Sequence, residues 1–179
     1  WALQNLASRE IDLTKSFAVI TIGTIQGGTK SNITPDKIEM TGTIRTFDKN
    51  VRKSIHDKIR KKANSIAMSF DVTADVYISK KGVPVTYNDP DLTELMEPTL
   101  KRIAGEDNWF IAPPVPGAED FSFYAQEIPG LYIYLGVTPK GGKPTSHHSI
   151  DFFVDEMAFL TGIRTLSTLV IDYFEKASQ

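Results

Sequence analysis

The sequence predicts an α/β plus α+β chain built in two parts, and three observations carry that prediction. The first 80 residues run helix, strand, strand, helix, strand with one-sided apolar patterns, the order of a split β-α-β unit lacking only its first strand. Beyond Asp89 helices and short strands alternate, and the stretch LYIYLGV is apolar on both faces, as an interior strand of a layered sheet would be. Between the two parts, KKGVPVTYNDPD gathers two prolines and a glycine, the composition of a boundary.

Each element has its own reason. The opening WALQNLASRE sets Ala2, Leu3, Leu6 and Ala7 on one helical stripe and reads as the tail of a helix begun upstream, so the sequence is expected to be a fragment of a longer protein. SFAVITIGTIQGG predicts a strand over residues 17–26 that ends in a glycine turn. In KIEMTGTIRTFD, Ile38, Met40 and Ile44 alternate with Glu39, Thr41, Thr43 and Arg45, so one face packs and the other meets solvent or ligand. Asp48 can cap a helix in which Val51, Ile55, Ile59, Ala63, Ile66 and Phe70 recur at helical spacing. His56, one step past the stripe, is expected to face solvent. VTADVYIS alternates again, with Val72, Ala74, Val76 and Ile78 inward. Asp89 followed by Pro90 is a cap and a first-turn proline, predicting a helix to Ala104. A short strand at WFIA, a proline-rich segment, the LYIYLGV strand, a histidine loop and a helix over residues 156–176 complete the chain.

Composition excludes several function classes. A net charge of -2 with lysines dispersed among acids offers no basic face for a phosphate backbone, so nucleic acid is not an expected partner. No run approaches the roughly 18 apolar residues of a membrane span. A chain of 179 residues without cysteine can build its core without disulfides and leaves the redox compartment open. A cytoplasmic location is the expectation.

Three features could carry chemistry. In PTSHHSIDFFVDE, His147 and His148 are adjacent, and neighbours on an extended segment point opposite ways, so both are not expected to ligate one ion. A catalytic zinc needs three protein donors plus water, and these residues alone read more readily as a polar surface loop. In PGAEDFSFY, Gly117 and Ala118 leave the backbone open, and Glu119 and Asp120 fall in the first turn of a helix. Free N–H groups there could hold a substrate carboxylate, or the acids could simply stabilise the helix start. Asn32 lies in a turn and Arg45 on a polar strand face. An arginine can grip a carboxylate and an asparagine can donate to an oxyanion, although each alone is also an ordinary surface residue.

Taken in order, GGTxxNxxP, GTIRTFD, PGAEDFSFY, PG-YIYLG and HHS-F-DE span more than a hundred residues. Together they resemble the C-terminal half of the metal-dependent amidohydrolases and exopeptidases of the hippurate hydrolase, N-acyl-amino-acid amidohydrolase, indole-acetyl-amino-acid hydrolase and carboxypeptidase G type. The resemblance implies that residues 1–86 form a ferredoxin-like lid and dimerisation domain, incomplete at its N-terminus. Residues 87–179 would then be the C-terminal part of a zinc-peptidase-like α/β catalytic domain. It implies His148 as a metal ligand with His147 its neighbour, and Asn32, Arg45, Gly117 and Ala118 as substrate contacts. Where many relatives read HSP this chain reads HSI, which leaves the ligand in place. The implied cofactor is a pair of divalent ions, zinc, manganese, cobalt or nickel, held by the complete enzyme and not stably by this chain. The general base and the remaining ligands would lie upstream.

The implied reaction is attack of a metal-activated water on the amide of an N-acyl amino acid or small peptide, in a homodimer joined through the lid at the strand over residues 17–26. The competing reading is a non-catalytic dimerisation or binding module. A small-molecule-sensing ferredoxin-like domain would leave the GAEDF and HHS motifs unexplained.

Overall fold

The computed structural model describes residues 1–14 and 16–177, and the chain divides into two compact units. The first comprises Trp1–Val85 with Val115–Ala118, and the second Thr86–Pro114 with the stretch from Glu119 onward.

The first unit contains α1 (Ala2–Arg9), β1 (Ala18–Gly27), β2 (Ile38–Thr46) and α2 (Lys49–Ser69). The strands form an antiparallel hairpin from Ala18 opposite Thr46 to Gly27 opposite Ile38, with an irregularity between Ile22 and Thr24. At Gly42 the two strands approach so closely that a Cβ would collide with the Thr21 carbonyl oxygen, which is why glycine stands there. Asp48 caps α2 by accepting from the N–H groups of Asn50 at 2.7 Å and Val51 at 2.8 Å, as its sequence position predicts.

The core of this unit is Leu6, Ala18, Ile20, Ile55 and Ile59, bordered by Leu3, Ala7, Ile11, Ile44, Val51, Val76 and Ile78. Burial shortens two expected patterns. Ile38 and Met40 share a hairpin face with Ile44, yet they are exposed and only Ile44 is half-buried, because the helices cover only the end of the hairpin near Ile20. On α2 the buried residues are Ile55, Ile59 and Ala67, while Ile66 and Phe70 are exposed. His56 departs the other way: it is half-buried, and burial followed by the Arg52 and Arg60 charges lowers its pKa.

The expected third strand over residues 72–79 does not form a ladder. Its alternation survives, with Ala74, Val76 and Ile78 half-buried, but Val72 is exposed. A strand exists only by pairing, and among the described residues this segment is hydrogen-bonded into no sheet. WFIA and LYIYLGV form no ladder either, although the Val137 carbonyl at the end of the second accepts from Asp155 N–H at 2.8 Å, so the hairpin is the single sheet among the described residues.

The second unit contains α3 (Pro90–Ala104), a 3-10 turn (Glu106–Asn108), α4 (Phe121–Glu127) and α5 (Met157–Ala177). Asp89 caps α3 through Leu92 N–H at 2.8 Å, with Pro90 in the first turn as expected. Helices α3 and α5 pack together, and a polar set joins them. Thr99, which is buried, and Arg102, which is exposed, both donate to the Asp172 carboxylate, and Lys176 donates to the Leu95 carbonyl at 2.7 Å. Met157, Leu160, Ile163 and Leu166 of α5 are exposed, an apolar surface that α3 does not cover. No helix among the described residues is long and apolar enough to cross a membrane.

Candidate functional site

In the first unit Arg45 projects from β2 and donates through Nη1 to the Pro116 carbonyl. That bond brings a guanidinium beside the Pro116–Gly117–Ala118 segment. A side chain at Gly117 would meet no atom within 4 Å, so the backbone there is open to approach. Arg45, Gly117 and Ala118 are all exposed. Because one guanidinium presents five N–H donors, the bond to Pro116 leaves others for an anion. Asn32 is elsewhere. It lies in the exposed connection beyond Gly27, whereas Arg45 pairs with Val19 at the opposite end of the hairpin. Arg45 lies seven residue steps along the strand from Ile38, which at about 3.3 Å per step is roughly 23 Å. The two polar candidates on the hairpin therefore do not meet one small ligand within a single chain.

In the second unit His148 stands in the loop that precedes α5, with φ of +64°. A residue with a Cβ in this left-handed region costs about 1–2 kcal/mol, although histidine tolerates it better than most. The loop is closed by several hydrogen bonds. Ser149 N–H donates to Ser146 O at 3.3 Å, Phe152 N–H to Ser149 O at 3.2 Å, and Phe153 N–H to Thr145 Oγ1 at 3.4 Å. The His147 ring meets Phe152 edge-on, with centroids 5.2 Å apart and planes at 84°.

Imidazole nitrogen is a suitable donor for zinc, manganese, cobalt or nickel. Among the described residues the His148 side chain is engaged in no hydrogen bond or ion pair, so its lone pair is uncommitted. No group of three or more potential ligands lies together among the described residues. His148 thus fits a metal as one donor, and a complete site would require donors from elsewhere.

Glu119 and Asp120 were expected in the first turn of a helix, but α4 begins at Phe121, and Asp120 makes no side-chain capping bond. Glu119 is committed to another partner: the Tyr132 hydroxyl donates to its carboxylate at 2.9 Å. That bond is the main cause of a lowered Glu119 pKa and of a Tyr132 pKa raised to about 12. Tyr132 is held in turn by Asn88, whose amide donates to the Tyr132 carbonyl at 2.9 Å and accepts from its N–H at 2.8 Å. The side chain of Asn88 does here what a neighbouring strand would do. Neither Asn88 nor Tyr132 stood out in the sequence, where one precedes a helix cap and the other belongs to an apolar run. The signal available was a phenol that needs a hydrogen-bond partner once partly buried.

Comparison with known proteins accounts for this collection of motifs. Residues 3–172 match the family described as Peptidase family M20/M25/M40. Thermostable carboxypeptidase 2 of Saccharolobus solfataricus is 37% identical over 176 residues, covering 98% of this chain and 44% of the relative. The IAA-amino acid hydrolase ILR1-like 2 of Arabidopsis thaliana is 30% identical over 182 residues, covering 99% of this chain and 41% of the relative. Among solved structures, the Bacillus subtilis YXEP protein, a dinuclear metal binding peptidase from M20 family, superposes with a TM-score of 0.70. It is 28% identical, and the match covers 91% of this chain and 43% of that one. The chain spans less than half the length of these relatives. With nearly its whole length matched, the chain belongs to peptidase family M20/M25/M40.

Proposed function

We propose that this chain is the C-terminal part of a metal-dependent hydrolase that cleaves the amide bond of N-acyl amino acids or small peptides. In this reading residues 1–86 are the lid and dimerisation domain and residues 87–179 the end of the catalytic domain. The chain contributes one metal ligand, His148, and a clamp for the free carboxylate of the substrate. Bound divalent metal supplies water activation and carbonyl polarisation. The chain's own residues bind and orient: Arg45 pairs with the carboxylate, and the open backbone at Gly117 and Ala118 supplies further N–H donors. Asn32, far along the hairpin from Arg45, would serve the site of a partner subunit in a homodimer. The isolated chain would be inactive, because the general base and the other ligands come from outside it.

The observation that carries this reading is the Arg45 bond to Pro116, which joins a guanidinium to an unobstructed glycine backbone. The test is the full-length enzyme on an N-acyl amino acid and on the same compound with its carboxylate capped as an amide. Capping should lower kcat/KM at least 100-fold, and Arg45→Met should raise KM for the uncapped substrate and narrow that gap. Equal cleavage of the two substrates by the unaltered enzyme would overturn the carboxylate clamp.

A further inference from the structure

The loop before α5 carries two adjacent imidazoles, and their surroundings differ. His147 lies edge-on to Phe152, a contact that spans both turns of the loop. His148, the next residue, holds the left-handed backbone conformation, and its side chain is engaged by no polar partner among the described residues. A left-handed residue with a Cβ persists only where its surroundings over-determine it. Here those surroundings are the loop hydrogen bonds, including Ser146 Oγ to the His147 carbonyl at 3.1 Å and Asp155 N–H to the Val137 carbonyl at 2.8 Å, together with the His147–Phe152 ring contact. The ring contact is the restraint that joins the residue next to His148 to Phe152 across the segment.

We propose that His147 is a positioning residue: packed against Phe152, it holds the loop so that His148 alone is presented to the metal. This inference rests on the reading of His148 as a ligand. Its chemistry is that of an outer group orienting a donor, whose loss typically weakens metal binding by about 10–100-fold. The ring itself, and not the imidazole nitrogen, is what His147 contributes in this proposal, since an edge-on ring pair is set by the ring quadrupoles. Phenylalanine should therefore replace it.

The experiment measures zinc affinity of the full-length enzyme by competition with a chelating dye, and the melting midpoint of the metal-free protein beside it. His147→Ala and Phe152→Ala should each weaken zinc binding about 10-fold or more with the metal-free midpoint unchanged, and His147→Phe should restore wild-type affinity. If His147→Phe loses zinc as completely as His148→Ala does, His147 is itself a ligand and the proposal fails. Wild-type affinity in both His147→Ala and Phe152→Ala would also overturn it, because the contact would then position nothing. Failure of the underlying reading looks different: His148→Ala would keep its zinc.

Discussion

Ile55 and Ile66 stand at equivalent places on the apolar stripe of α2, and the structure separates them sharply. Ile55 is 0% exposed within the core of Leu6, Ala18, Ile20 and Ile59, whereas Ile66 is 42% exposed. Truncating a fully buried isoleucine to alanine removes about three methyl and methylene groups and leaves a cavity, at a cost of about 2–5 kcal/mol. This core is small, with five buried residues in its cluster among the described residues, so partial collapse should bring the cost toward about 2–3 kcal/mol. At Ile66 roughly half the side chain never leaves water, and alanine is the better helix former, so the two effects should leave less than about 1 kcal/mol. For a unit of this size about 2 kcal/mol corresponds to a melting point lower by roughly 8–16 °C. Thermal and urea unfolding of the 179-residue chain, followed by circular dichroism, would read both variants against the parent. Equal losses at the two positions would refute the assignment of the core to the Ile55 end of α2.

Further outcomes follow from single contacts. The Asp172 pKa is lowered first by the Thr99 hydroxyl and then by Arg102, so the stabilisation it gives α3 against α5 is present above the ordinary carboxylate range. It is lost as the pH falls through the depressed folded value, and Asp172→Asn should flatten that acid limb in a pH series of melting points. His56 has its pKa lowered by burial and by Arg52 and Arg60, so its neutral form belongs to the fold. Its contribution is complete above the ordinary histidine pKa and declines as pH drops toward the lower folded value. An NMR titration should place the His56 midpoint below that of a free histidine, and a midpoint at or above the ordinary value would contradict the burial. Gly42→Ala should break the hairpin pairing at Thr21, seen as faster amide exchange over residues 20–24 and 41–44, because the added methyl group meets the Thr21 carbonyl.

Much of the local architecture was legible because it is written in short-range chemistry. Asp48 and Asp89 cap the helices that begin after them, and Pro90 takes the first turn where its missing N–H costs nothing. The alternation of KIEMTGTIRTFD became β2, and its partner SFAVITIGTIQGG became β1. Family membership was legible for a related reason: the five motifs follow one another along the chain, and their order is a property of the chain itself. Sheet assembly was less legible. Residues 72–79 and LYIYLGV carry strand patterns, but a pattern supplies only one half of a ladder. The tie of Tyr132 to Asn88 and Glu119 was missed because its members are 44 and 13 residues apart.

The sequence by itself determined where helices start, which residues could alternate, and that the chain shares the motif order of a metallopeptidase family, since each of these depends on neighbours along the chain. Tertiary structure alone decided that Ile55 is core and Ile66 surface, that Arg45 reaches the Pro116 carbonyl, and that Asn32 lies a hairpin's length from it. It alone showed His147 against Phe152 and His148 in a left-handed backbone. Burial, long-range hydrogen bonds and ring contacts join residues that are distant in sequence or separated by a turn, and a linear pattern records which groups are available without recording which of them meet.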